Sequence, residues 1–153
     1  MRKFFPIALF ALFVGCDFRV DNSNVPAKLA SLERDFGVQW PTNCIKQYGA
    51  SLSTSFGNYS EVAARLEVTN TTFFLWRQSA TNKLKELQWF SVPTDPKLES
   101  RFPWWDCSKF PASRISAYMN DSRAGSGPAF LSVYVLETNG VYIMYIQGTK
   151  GGR

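Results

Sequence analysis

Histidine is absent from the 153 residues. That removes the Ser-His-Asp and Cys-His nucleophile systems and every His-ligated metal site. Cysteine is scarce. There are three, none in a C-x-x-C pair, so a catalytic thiol would lack both a base and a redox partner. Runs of Lys or Arg are also missing. The 17 cations and 12 acids, net +5, are scattered singly among aromatics, which argues against a track for a phosphate backbone and so against nucleic-acid binding. Dispersed acids leave no carboxylate cluster for a metal. Gly125-Ser126-Gly127 runs into Pro128 rather than into a helix, so it is no phosphate cradle. These absences point to a non-catalytic protein with no cofactor and no metal. With 45% apolar and 19% charged residues the chain is globular in composition, and its length suits one domain.

What is present begins at the amino terminus. Met1-Arg2-Lys3 precedes an apolar run from Phe4 to Val14 that contains Pro6. As a helix the run spans roughly 17 Å, too short for a bilayer core of about 30 Å. A basic start followed by a short apolar run is the pattern of a secretory signal, here residues 1–15. Removing Arg2 and Lys3 with it leaves 15 cations against 12 acids, or +3.

The run ends Leu12-Phe13-Val14-Gly15-Cys16. This resembles the lipobox of bacterial lipoproteins, with Leu12 one position further out than that pattern sets it. The resemblance implies cleavage between Gly15 and Cys16 and a diacylglyceryl thioether on Cys16, so the membrane becomes a partner through the lipid. Asp17 resembles an inner-membrane retention signal. The implied location is the cell envelope, facing the periplasm, with the inner membrane favoured. The alternative is an ordinary secretory signal that leaves Cys16 as an unpaired third cysteine. With Cys16 lipidated, Cys44 and Cys107 remain as the only pair, and an oxidising periplasm would close them into a disulfide.

Residues 16–24 are polar and aperiodic and read as a lipidated tether, leaving 25–153 as a single domain. Val25, Leu29, Leu32 and Phe36 make one helical face, with Asn24 to cap it, Pro26 in the first turn and Gly37 to end it. Pro41 to Tyr48 reads as extended and 51–58 as a polar loop. From Glu61 to Val68 strict alternation predicts a strand with one wet face. Thr69 or Asn70 caps a short helix carrying Phe73 to Trp76. Residues 83–91 suit helix or strand equally. The Pro-rich stretch 93–111 has room for one helical turn. A strand follows at 114–119. Asn139-Gly140 then predicts a hairpin of 129–138 with 141–147, in which Tyr134 faces Tyr145. The class is α+β: an antiparallel sheet of about five strands, two or three short helices and a C-terminal β-hairpin.

The hairpin has one wholly apolar face, Leu131, Val133, Val135, Met144 and Ile146, which belongs to the core. Its other face holds Tyr134, Leu136, Val141, Ile143 and Tyr145 and is amphipathic. Beside it stands Phe102-Pro103-Trp104-Trp105-Asp106-Cys107, where vicinal tryptophans point opposite ways in an extended loop. Trp104, Trp105, Tyr134 and Tyr145 are therefore the candidate binding residues, the alternative being that the indoles cap the edge of the hydrophobic core, and no catalytic residue is expected. Glu99 and Asp106 read as a turn cap and a solvated acid. The function expected is a cell-envelope lipoprotein that binds an envelope or periplasmic protein, an immunity or inhibitor protein being one concrete form. The alternative is binding of glycan or peptidoglycan through the same aromatic rings. Cys16→Ser should leave the protein soluble or as an uncleaved precursor. Unchanged membrane fractionation, together with a wild-type mass lacking acyl chains, would refute the anchor.

Overall fold

A computed structural model describes residues 18–54, 59–88, 90, 96–120 and 129–151. The signal segment, Cys16 and Asp17 lie outside the described residues. The strands are β1 (Phe18–Asp21), β2 (Lys46–Thr54), β3 (Tyr59–Thr69), β4 (Leu84–Leu87), β5 (Ile115–Asn120), β6 (Ala129–Thr138) and β7 (Val141–Gly151). The helices are α1 (Val25–Phe36), α2 (Asn70–Ala80) and α3 (Pro96–Arg101), with 3₁₀ turns at Cys107–Lys109 and Ala112–Arg114. All the strands join one antiparallel sheet in the order β1-β2-β3-β7-β6-β5-β4.

The mixed α+β class holds, but the sheet has seven strands rather than about five. The two additional strands are its edges. β1 lies within the segment expected to be a tether, and β4 within the stretch that suited helix or strand. Each has four residues, too few alternations to show a period, and each owes its shape to a neighbour's ladder. β2 runs through Ser51–Thr54, where a polar loop was expected. Its small residues pair on both sides, with β1 and with β3, and Ala50 and Leu52 are buried.

The local signals that proved legible have local causes. Asn24 accepts a hydrogen bond from the Ala27 amide at 3.1 Å, and Gly37 takes the left-handed conformation (φ 68) that ends α1. The Thr69 hydroxyl accepts from the Thr72 amide and starts α2. Asn139 and Gly140 both have positive φ, and the strands they join pair in the expected register, Thr138 with Val141 and Tyr134 with Tyr145.

The sheet is covered on both faces. On one, α1 and α2 pack Leu29, Leu32, Phe73, Trp76 and Ala80 against Leu66, Val133, Val135, Met144 and Ile146. On the other, α3 and the chain after it pack Leu98, Phe102, Trp105 and Cys107 against Ala63, Tyr134, Leu136, Ile143 and Tyr145. The wet face expected for β3 is therefore largely closed: Glu61 and Ala63 are buried and Arg65 and Glu67 are mostly covered. The expected disulfide is absent. Cys44 packs against the helix-side core and Cys107 lies in the core of the opposite face, and both are free thiols. The sheet lies between them. The Cys44 thiol instead donates to the Pro41 carbonyl at 3.2 Å.

Gly148 in β7 lies beneath α1. A Cβ there would run into the Leu32 side chain and stand 3.2 Å from the Phe36 ring. Gly148→Ala should destabilise the fold by about 1–3 kcal/mol through overpacking. Thermal melting checks this, with an unshifted midpoint showing that α1 can move aside.

Candidate functional site

The four residues expected to bind a partner do not form an open surface. Trp105 is 1% exposed, Tyr145 0% and Tyr134 8%. Trp104 is half-buried, stacked between Phe102 at 5.2 Å and Tyr48 at 6.0 Å. The physical reason is α3. It and the following turns fold over the amphipathic hairpin face, so rings that suit a partner interface are spent on an internal one.

A polar network seats that cover. The Tyr145 hydroxyl donates to Asp106 Oδ1 at 2.5 Å, and the Trp105 indole meets the Tyr145 ring edge-on at 5.7 Å. Arg65, from β3, places its guanidinium over both Tyr48 and Tyr145, at 5.6 and 5.7 Å. It pairs with Glu67 at 2.9 Å and lies 3.9 Å from Asp106. Asp106 is thus an acceptor for a buried phenol and not the solvated acid expected. Burial, then the hydrogen bond to Asp106 and its negative charge, hold the Tyr145 proton well above the ordinary range for tyrosine. Burial also pushes the Cys107 thiol up to about 12, with Asp106 and Glu99 adding to it, so the thiol is inert rather than nucleophilic. Glu99 is in the first turn of α3 with one carboxylate oxygen buried and without a hydrogen bond, and Asp106 is engaged by Tyr145.

Among the described residues, an adjacent pair of exposed apolar side chains lies on the helix side. α2 turns Phe73, Trp76 and Ala80 inward and leaves Phe74 45% and Leu75 63% exposed. Two clefts flank this pair. One, of about 490 Å³, lies between α2 and the β6–β7 hairpin and is lined by Phe73, Phe74, Arg77, Arg114, Glu137 and Tyr142. The other, of about 370 Å³, is lined by Trp40, Pro41, Asn43, Thr72, Leu75 and Trp76. Arg77 is held by Glu86 at 2.8 Å, and Arg114 donates to the Glu137 carbonyl at 3.3 Å. Ile45 is exposed at the start of the β2 ladder, where its amide bonds Glu67. Ile45, bonded to Glu67, and Phe74, beside the hairpin turn, thus both lie toward the Thr69 end of the sheet, with Leu75 next to Phe74. Sequence carried a signal for two of them: the i, i+3, i+7 spacing of Phe73, Trp76 and Ala80 uses one helix face and leaves Phe74 and Leu75 off it.

No family model, curated protein or solved structure matches the chain.

Tyr145→Phe should destabilise the protein by about 1–2 kcal/mol at neutral pH, because the covered Asp106 carboxylate loses its donor. The raised folded-state pKa of Tyr145 also favours the native state only while the phenol keeps its proton. Wild-type stability should thus fall as pH rises past the ordinary tyrosine value of 10.0, and the variant should show a shallower fall. Denaturant melts at neutral and alkaline pH check both, and identical curves would show that the hydrogen bond contributes nothing.

Proposed function

We propose that this chain is a non-catalytic lipoprotein domain of the cell envelope, anchored through Cys16, that binds a protein facing the periplasm. The observation that carries the binding reading is the adjacent exposed pair Phe74 and Leu75, with a cleft on either side. Two large apolar side chains on one helical turn keep about half of their surface open, although the Phe74 ring also meets Phe73 and Tyr142. They are the kind of anchor that a partner's pockets take up, and a helix presents them at fixed spacing. A periplasmic immunity or inhibitor protein is one form of this reading, because such a protein needs a rigid recognition face and no chemistry of its own. The anchor at Cys16 would keep the domain at the membrane surface.

Glycan binding has less support. It relied on open rings at Trp104, Trp105, Tyr134 and Tyr145, and only Trp104 retains partial access.

Phe74→Ala and Leu75→Ala should each leave the melting temperature nearly unchanged and weaken capture of the partner by about 2 kcal/mol, roughly thirtyfold. The measurement is quantitative co-purification from solubilised envelope, with Trp105→Ala as the contrast. That truncation should cost about 3–5 kcal/mol of stability. Undiminished capture by both α2 variants at unchanged stability would move the working surface elsewhere.

A further inference from the structure

β1 begins at Phe18, and only Asp17 separates it from Cys16. An extended chain advances at most about 3.6 Å per residue, so the first strand residue lies within about 7 Å of the cysteine. A lipid on Cys16 would hold that residue at the headgroup layer. Slack for a freely swinging domain is then missing, because the segment expected as a tether is itself part of the sheet.

The register shows what lies next to Phe18, which itself pairs with Thr54. Arg19 pairs with Ser53, Ser53 with Ser60, Ser60 with Lys150 and Lys150 with Ala129, one row running from β1 to β6. The next row inward runs Val20, Leu52, Glu61, Thr149, Phe130. Both ends of that row are exposed apolar side chains: Val20, and Phe130 at 54%. Among the described residues, the other large exposed apolar side chains, Ile45, Phe74 and Leu75, stand at the opposite end of the strands. The exposed apolar groups are thus sorted to the two ends of the sheet. β3 spans that separation with 11 residues, about 35 Å at roughly 3.3 Å each.

Resting on the Cys16 anchor reading, we infer that the end of the sheet carrying Phe18, Phe130 and Lys150 sits on the bilayer of the anchor, with Phe130 in the interfacial layer. The opposite end, with Phe74 and Leu75, is then held out toward the periplasm. The interface accepts an aromatic ring that water does not favour. Lys150, whose side chain is 60% exposed, can lay its stem on the same layer and keep its ammonium among headgroups while it reaches Asp35 at 3.6 Å. The two exposed apolar sites then have different occupants: lipid at one end, protein at the other.

The test places a photo-reactive side chain at each end of the acylated full-length protein. Phe130→benzoylphenylalanine and Leu75→benzoylphenylalanine both alter exposed positions and leave the core untouched. Each protein is made with its leader, checked by intact mass for acyl chains and reconstituted into phosphatidylethanolamine–phosphatidylglycerol vesicles. Irradiation should give about tenfold more lipid adduct at position 130 than at position 75. Acyl chains on Cys16 with equal adduct yields at the two positions would overturn the orientation while leaving the anchor intact. A mass without acyl chains would remove the anchor and the orientation together.

Discussion

The pairing of β3 with β7 is the interaction on which the rest depends. It runs from Tyr59 with Gly151 to Thr69 with Val141, the whole length of both strands. It joins two groups that are otherwise separate ladders, β1-β2-β3 on one side and β7-β6-β5-β4 on the other. It also builds both cores. Ala64 and Leu66 of β3 and Met144 and Ile146 of β7 face the helices, while Ala63, Ile143 and Tyr145 face α3. A one-residue slip there would exchange the two sets, pushing Arg65 and Glu67 under α1 and α2. The seam is central, long and buried on both faces, so its register admits no such slip.

The two covers achieve burial by different means. The helix side is aliphatic and aromatic packing, with Phe73 stacked on Tyr142 at 4.1 Å and Trp76 on Trp40 at 6.2 Å. The other side is covered by a short helix and two 3₁₀ turns, which offer little regular hydrogen bonding of their own. Arg65, Asp106 and Tyr145 make up for this by tying that irregular cover to β3 and β7. The aromatic residues whose abundance suggested a binding face serve as its seal. Aromatic rings lower the free energy of either arrangement in the same way, by leaving water. Composition could not tell the two apart.

The consequence for function is a change of face. With the hairpin tyrosines enclosed, the exposed apolar side chains lie on α2 and at the two ends of the strands. α2 is well placed for recognition because it is capped at Thr69 and held to the sheet by Phe73, Trp76 and Ala80, so its outward residues are displayed on a rigid base. The buried Cys107 thiol is held protonated and Asp106 is engaged by Tyr145.

What the sequence by itself determined was whatever neighbouring residues could decide. The caps at Asn24 and Gly37, the alternation of β3, and the Asn139-Gly140 turn with its register all follow from contacts within a few positions. The absence of histidine likewise excluded whole classes of chemistry without any structure. What only the tertiary structure decided depended on residues far apart in the chain. β1 and β4 exist because long strands offer them ladders, and four residues carry no periodicity that would reveal them. Cys44 and Cys107 are kept apart because the sheet runs between them, a fact no cysteine count contains. An amphipathic strand face specifies that something should cover it, and not whether the cover is a partner or the chain itself. Here α3 covers it, while Phe74 and Leu75 of α2 stay exposed on the other side of the sheet.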